Sequence, residues 1–147
     1  MPRPATPADR AAVEDVVRQA YSPYVARIGR PPGPMGDDYG ALIAEGRVRV
    51  MERNGAVQGV LVLIPQSDAL LLDNVAVAPA AQGTGLGRAL LQFAEAQARQ
   101  LGFPQLRLYT NEAMTENIGL YSRLGYAETH RAEEKGLKRV YMAKRLD

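Results

Sequence analysis

The sequence has 147 residues and a formal net charge of +2, with no cysteine and one histidine. This length is typical of one domain with its own buried core, and the lack of cysteine excludes disulfides and thiolate metal sites. A single histidine argues against a zinc site, arginines spread along the chain do not indicate a nucleic-acid partner, and no apolar run is long enough for a membrane span. Met1–Arg10 lacks the apolar stretch of a signal peptide, so the cytosol is the expected location.

The first third of the chain predicts two helices separated by a loop. Thr6 can cap a helix, and Asp9, three residues further on, can return the capping bond. Apolar residues at helical spacing continue from there to about Tyr21. Three prolines and three glycines between Ile28 and Gly36 indicate a loop without regular structure, and a second, short helix is expected over Asp38–Glu45.

The middle of the chain predicts an antiparallel meander. Its three strands cover Arg47–Glu52, Val57–Ile64 and Ala69–Val77, with period-two or nearly continuous apolar content. Asn54-Gly55 is a strong hairpin signal, and Ser67-Asp68 marks the second turn. The last strand is nearly all apolar, apart from one aspartate and one asparagine.

The remaining elements predict one parallel crossover and a closing hairpin. A helix over Arg88–Leu101 is followed by a strand over Gln105–Thr110, which should lie parallel to the third meander strand through a right-handed crossover. A helix over Thr115–Leu124 follows, and the last two strands are expected over Tyr126–His130 and Lys138–Lys144. The fold class is therefore α+β, with a mixed sheet and about four helices.

The turn over Gln82–Arg88 carries the strongest functional signal. Three glycines alternate at positions 83, 85 and 87, directly after a strand and directly before a helix. Glycine lets a backbone approach a ligand closely, and free N–H groups at a helix N-terminus suit a phosphate or pyrophosphate. A merely tight turn is the alternative. The Walker pattern fails because it needs a lysine, and the dinucleotide fingerprint fails because it needs a glycine where Arg88 stands.

The pattern Gln82-x-x-Gly85-x-Gly87 resembles the acyl-CoA pyrophosphate motif of the GNAT superfamily of N-acetyltransferases. Residues 72–79 are similar to the strand that precedes this motif in the family. Residues 109–111, followed by 117–121 and 124–126, are similar to the second cofactor-contacting segment. The resemblance implies a single N-acetyltransferase domain over residues 1–147, with a splayed sheet. It also implies acetyl-CoA as the acetyl donor and direct attack by an amine in a ternary complex without a metal.

The resemblance assigns the cofactor to two parts of the chain. Seven consecutive residues would bind the pyrophosphate: Gln82, Gly83, Thr84, Gly85, Leu86, Gly87 and Arg88. The main chain at Val75 and Val77 would pair with the pantetheine arm, and an N–H there would polarise the thioester carbonyl. Asn117 would bind the pantetheine. Both valines could equally be plain core residues.

The catalytic assignments begin with Tyr121, which the resemblance makes the general acid for the departing thiolate. A core aromatic is the alternative for this residue. Asp73 is the first candidate for the general base and Glu112 the second, either acting through a water; a structural hydrogen bond is the alternative for Asp73.

The acceptor is a small-molecule or protein amine, placed near Tyr24, Arg27 and Arg30. Exposed sheet edges make a homodimer possible. A catalytically idle acyl-CoA-binding module is the alternative function, and a nucleotide-binding protein of another type is disfavoured by the failed motifs.

Overall fold

The computed structural model describes residues 1–31 and 33–146; Pro32, within the loop expected over Ile28–Gly36, lies outside them. The helices are α1 (Arg10–Ile28), α2 (Tyr39–Ala44), α3 (Leu86–Gln100) and α4 (Thr115–Arg123). The strands are β1 (Arg3–Pro4), β2 (Val48–Arg53), β3 (Ala56–Pro65), β4 (Leu70–Val77), β5 (Gln105–Asn111), β6 (Ala127–Glu134) and β7 (Leu137–Arg145). Short 3-10 turns cover Pro7–Asp9, Gly33–Gly36 and Pro79–Ala81.

The strands form one mixed sheet in the order β1-β2-β3-β4-β5-β7-β6. Strands β2 to β4 form the expected antiparallel meander. β4 and β5 pair in parallel across the α3 crossover, and β6 and β7 close the chain as an antiparallel hairpin. The predicted fold class is therefore confirmed.

A separate core lies on each face of the sheet. The core under α3 and α4 includes Leu61, Leu72, Leu90, Leu108 and Met142. The core under α1 and α2 includes Val13, Val17, Tyr39, Val60 and Val62. Neighbouring residues of β3 enter opposite cores because side chains alternate across a strand, so α1 and α3 cover opposite faces.

β4 carries a β-bulge at Asp73. Val62 of β3 faces Asn74, and the next residue, Leu63, faces Leu72, so Asp73 has no partner across the ladder. A bulge leaves its extra residue unpaired and bends the strand. The side chains that follow the bulge therefore change faces, with Leu72 in the α3 core and Ala76 in the α1 core.

β4 and β5 diverge immediately beyond this bulge. Their ladder is limited to Leu70–Leu72 against Leu106–Leu108, although both strands continue, to Val77 and Asn111. Beyond the ladder, the backbone groups of β4 and β5 that face the gap are therefore not paired with each other. This is the splayed sheet that the resemblance implied.

The expected end of α1 near Tyr21 is wrong. The helix continues through Pro23 to Ile28 and ends at Gly29, which has a φ of 91° and donates its N–H to the Val25 carbonyl at 2.8 Å. Proline within a helix removes one hydrogen bond, but Pro23 is exposed, and the last turns are held by contacts with other elements.

Smaller differences concern element ends. α3 begins at Leu86, two residues before the expected start, and β6 continues to Glu134 instead of ending at His130. The loop expected to lack regular structure contains the 3-10 turn Gly33–Gly36. Thr6 and Asp9 form the expected capping contact, in which Asp9 accepts the Thr6 N–H at 2.8 Å. Within residues 1–31 and 33–146, no helix is both long enough and apolar enough to cross a bilayer.

Candidate active site

The glycine-rich turn presents a row of free backbone N–H groups. The first bond into α3 is donated by the Ala89 N–H to the Gly85 carbonyl at 3.0 Å. Among the described residues, the N–H groups of residues 83–88 have no hydrogen-bond acceptor. Gly83 and Gly85 have φ values of 79° and 86°, which L side chains adopt only with strain. Six consecutive free donors at a helix N-terminus fit a pyrophosphate.

The side chains of this turn mostly serve its own structure. Gln82 donates its amide N–H to the Val77 carbonyl at 3.2 Å, which ties the turn to the end of β4. The Thr84 hydroxyl donates to the Ala81 carbonyl, and Leu86 is buried in the core. The turn therefore offers a ligand mainly its backbone, together with the exposed side chain of Arg88.

A cleft runs from this turn, between α1 and α4, to the gap between β4 and β5. Most of the predicted cofactor residues line it, namely Val75, Val77, Gln82, Gly83, Gly87 and Asn117. Tyr121 and Tyr24 lie on its walls as well. Arg88 lies instead beside an adjoining depression next to Glu95 and Lys144.

Tyr121 combines a packed ring with an available hydroxyl. The residue is 7% exposed, and its ring packs edge-to-face on Tyr126 with centroids 5.7 Å apart. Burial raises the pKa of its phenol to about 12, and the neighbouring Tyr24 adds to this shift. Its hydroxyl has no hydrogen-bond partner among the described residues and is not fully enclosed. The hydroxyl is therefore a neutral donor at the cleft.

A second cavity lies on the other side of the gap. Its walls include Asp73, Tyr109, Leu137 and Arg139, together with the turn at Gly33 and Pro34. Five residues border both cavities: Tyr21, Val75, Met114, Asn117 and Tyr121. The two cavities therefore meet where β4 and β5 diverge.

Asp73 is the carboxylate that lines the second cavity. Tyr109 donates its hydroxyl to Asp73 at 3.2 Å, and the Arg139 guanidinium lies 4.3 Å from the centroid of the Tyr109 ring. Burial raises the pKa of Asp73, against the opposing effects of hydrogen bonds from Tyr109 and Asp37 and the charge of Arg139. Asp37 lies within hydrogen-bond reach of Asp73, and burial, reinforced by the charge of Asp73, raises its pKa to about 6.

A buried hydrogen-bond network attaches the turn Gly33–Gly36 and the start of α2 to β4. The Tyr21 hydroxyl donates to Asn74 Oδ1 at 2.6 Å. Asn74 Nδ2 donates to the Tyr39 hydroxyl at 2.9 Å, and that hydroxyl donates to the Pro34 carbonyl at 2.6 Å. Asn74 is 2% exposed, so its amide depends on these partners.

One predicted acceptor residue, Arg30, and the second candidate for the general base, Glu112, have structural partners outside both cavities. Arg30 donates to the Lys135 carbonyl at 2.8 Å in the β6–β7 turn. Glu112 lies 3.8 Å from Arg131 and 4.0 Å from Lys138.

Tyr24 and Arg27 lie where α1 meets α4. Tyr24 lines the cleft that runs from the glycine-rich turn, and its hydroxyl donates to Glu116 at 3.5 Å. Arg27 forms an ion pair with the same carboxylate at 2.8 Å. Neither residue lines the second cavity.

Sequence reasoning missed the residues that surround Asp73. Asp37 follows a proline- and glycine-rich run directly, which was the available signal. Tyr109 and Arg139 occupy period-two positions of β5 and β7, on the face opposite Leu108 and Val140 of the α3 core. Only the strand order brings them next to Asp73.

Comparisons with known proteins show which sequence family and which solved structures the chain resembles. The model of the acetyltransferase (GNAT) domain family matches residues 44–128. The mycothiol acetyltransferase of Jonesia denitrificans is 37% identical over 67 residues, which are 46% of this chain and 21% of that protein. The peptidyl-lysine N-acetyltransferase YjaB of Escherichia coli K12 is 32% identical over 94 residues, which are 64% of this chain and 57% of that protein. The chain thus spans well under two thirds of these relatives.

The solved structures include YncA from Salmonella typhimurium with its cofactor acetyl-CoA. Its TM-score is 0.75 at 26% identity, covering 100% of this chain and 94% of that one.

Proposed function

The chain belongs to the GNAT acetyltransferase family, and we propose that it transfers an acetyl group from acetyl-CoA to a primary amine by direct attack in a ternary complex. Residues 1–147 act as one N-acetyltransferase domain in this proposal. One observation carries it. The cleft that begins at the glycine-rich turn meets a second cavity, which contains the Asp73 carboxylate, at the gap between β4 and β5.

The turn and β4 bind and orient the cofactor in this proposal. The free N–H groups of residues 83–88 hold the pyrophosphate, and Arg88 adds a positive charge at its edge. The edge of β4 that β5 leaves open at Val75 and Val77 receives the pantetheine arm, with Asn117 opposite. When bound, acetyl-CoA supplies an acetyl group activated as a thioester. A backbone N–H of β4 then stabilises the negative charge that develops on the thioester oxygen.

Asp73 and Tyr121 carry out the two proton transfers of the reaction, as base and as acid. Asp73, on the acceptor side, takes the proton that an ammonium must lose before its nitrogen can attack. Tyr121, on the border of both cavities, donates its hydroxyl to the departing sulfur. Because its pKa is raised to about 12, the phenol is neutral throughout the physiological range and always carries the proton to be donated.

The amine can belong to a small molecule or to a protein. The relatives bear names of both kinds, and the second cavity fits an ammonium because Asp73 offers it a partly buried carboxylate. The alternative function, a catalytically idle acyl-CoA-binding module, shares the turn and the cleft but needs neither Asp73 nor Tyr121.

Two experiments test the proposal in order. Thermal melts with acetyl-CoA, CoA and ATP should show stabilisation by both CoA species and not by ATP; no shift with either CoA species would refute the cofactor assignment. Thiol release from acetyl-CoA with a panel of amines then separates the enzyme from the idle binder.

Tyr121→Phe is the matched variant for these experiments because it removes one hydroxyl that forms no hydrogen bond with any described residue. It should bind CoA within about twofold of wild type and turn over about 100-fold more slowly, the usual size of a general-acid effect. An unchanged rate would remove Tyr121 as the acid.

Location in the cytosol and assembly as a homodimer remain proposals as well. A chain without cysteine is compatible with a reducing compartment. β6 is an exposed edge strand with charged side chains, a pattern that discourages edge pairing, so a dimer would have to accommodate those charges. Light scattering tests for the homodimer, since a single 16.0 kDa species would exclude it.

A further inference from the structure

We propose that Asp37 is a positioning residue for Asp73, and that the two carboxyl groups act as a pair which takes up the proton of the acceptor's ammonium. This inference rests on the proposed function and deepens it. Asp73 lines the acceptor-side cavity, whereas Asp37 approaches the same carboxyl from the turn before α2.

The buried network brings together the two segments that carry the aspartates. Asp37 lies two residues before Tyr39, and Asp73 lies one residue before Asn74, and these two neighbours are joined by the 2.9 Å hydrogen bond. The Asp37 N–H also donates to the Pro34 carbonyl at 3.4 Å, the same carbonyl that accepts the Tyr39 hydroxyl. The bulge contributes too, because the ladder gives Asp73 no partner in β3.

The groups that face the pair leave it with excess negative charge. Arg139 of β7 is the cation that acts on both carboxyls, and it is shared with Glu134, 3.2 Å away. Tyr109 of β5 donates a hydrogen bond to Asp73. The other titratable groups close enough to act on the pair are the neutral phenols of Tyr21 and Tyr39.

Two carboxyls within hydrogen-bond reach of each other do not ionise independently, because the first negative charge opposes the formation of the second. The upper pKa of the pair is that of Asp37, about 6. It lies well above the pKa of an ordinary aspartate. The pair is therefore doubly ionised near neutral pH and accepts a proton more strongly than one carboxylate would.

The proton balance of the step is complete. One N–H bond of the ammonium breaks and one O–H bond forms on the pair, which frees the nitrogen lone pair for attack. The second proton lost by the nitrogen balances the one that Tyr121 gives to the sulfur. The pair returns its proton to solvent, so one proton is released for each amide formed.

The test is the pH dependence of kcat/KM in wild type and in three variants. Wild type should lose activity below about pH 6, the upper pKa of the pair. Asp37→Asn should move this acid limb down by about one pH unit or more and lower the plateau about 10-fold, because a single carboxylate is the weaker base. Asp73→Asn should remove most of the activity.

Asp38→Asn is the matched control. Asp38 is the neighbouring aspartate, and it caps α2 by accepting the Ala41 N–H at 3.1 Å, a role that asparagine also fills. Its profile should match wild type. An acid limb at the wild-type pH in Asp37→Asn would overturn the inference, whatever the fall in rate, because a merely structural role lowers the plateau without moving the limb.

A second measurement covers the case in which Asp37→Asn folds poorly. Carboxyl-carbon NMR titration of the substrate-free wild type should show two coupled steps, and in Asp73→Asn the Asp37 step should fall clearly below pH 6. Independent titration of the two groups would overturn the inference. Absence of turnover by wild type with every amine would instead count against the proposed function, so the two failures are distinguishable.

Discussion

The substitution Arg88→Glu should raise the stability of the free protein and weaken its binding of CoA. Arg88 is the third residue of α3 and is exposed, so its positive charge opposes the helix dipole. Replacing a cation by an anion in the first turn gains about 1 kcal/mol on the usual scale of dipole effects. In a chain of 147 residues this corresponds to a rise in melting temperature of about 2–4 °C.

The effect on binding has the opposite sign. At ~6 Å in an aqueous environment, two unit charges interact by about 0.7 kcal/mol. The substitution changes the local charge by two units, and it acts on a pyrophosphate that carries about two charges, so the unscreened cost is about 3 kcal/mol. Screening at physiological ionic strength removes about half of this. About 1.4 kcal/mol remains, which is a 10-fold loss of affinity.

The assay is calorimetric titration with CoA at low and high salt, with melting curves of the free proteins. Arg88→Gln should be intermediate in both properties. Arg145→Glu makes the same charge change beside Gln105, at the opposite end of the sheet, and should bind CoA like wild type. If Arg88→Glu bound CoA as tightly as Arg145→Glu at low salt, Arg88 would not belong to the phosphate site. A lower melting temperature would contradict the dipole argument.

Four further substitutions test the structure of the site and of the start of α1. Gly85→Ala should cost about 1 kcal/mol in denaturant unfolding because φ is 86° there while no atom lies within 4 Å of the new methyl; Gly87→Ala, at an ordinary helical φ, should cost nothing. Asn74→Leu should cost about 2 kcal/mol because the Tyr21 and Tyr39 hydroxyls each lose one hydrogen bond and keep another, to the Val75 and Pro34 carbonyls, and a change below about 1 kcal/mol would show that water replaces the amide. Hydrogen bonds from Arg3 hold the pKa of Asp9 well below its usual range, so the stabilisation is present above the unfolded pKa near 4 and is lost as the pH falls below it. The melting temperatures of wild type and Asp9→Asn should therefore converge as the pH falls below 4, and a constant difference would refute the ion pair as its cause.

The sequence was sufficient for features whose signal is local. The glycines at 83, 85 and 87 predicted the turn before α3, because the positive φ at Gly83 and Gly85 and the free N–H groups depend only on that segment. The crossover followed from a strand, a helix and a strand in succession, since handedness leaves few ways to connect them. The extension of α1 beyond Tyr21 could not be read in this way. It depends on the attachment of Tyr21 to Asn74 and of Arg27 to Glu116, both distant in sequence.

The acceptor side was less accessible to sequence reasoning for the same physical reason. Charged residues near a predicted cleft are interchangeable candidates until their partners are known. Arg30 was a candidate because it stands in the loop, yet it binds the β6–β7 turn. Glu112 was a candidate because it ends a central strand, yet it faces Arg131 and Lys138. Asp37 was passed over, although the network through Tyr39 brings it to Asp73.

The bulge at Asp73 connects the fold to the chemistry of the site. One unpaired residue in β4 changes the face that the following side chains present, so Asn74 enters the α1 side and anchors the acceptor loop. The same irregularity lies where β4 leaves β5, so the gap opens directly beyond it. A regular strand would align Asp73 within the ladder, and the pair with Asp37 would not form. The carboxylate therefore lines the second cavity, two residues before Val75, which borders both cavities, because the strand is irregular there. Its position depends on backbone geometry as much as on its own side chain.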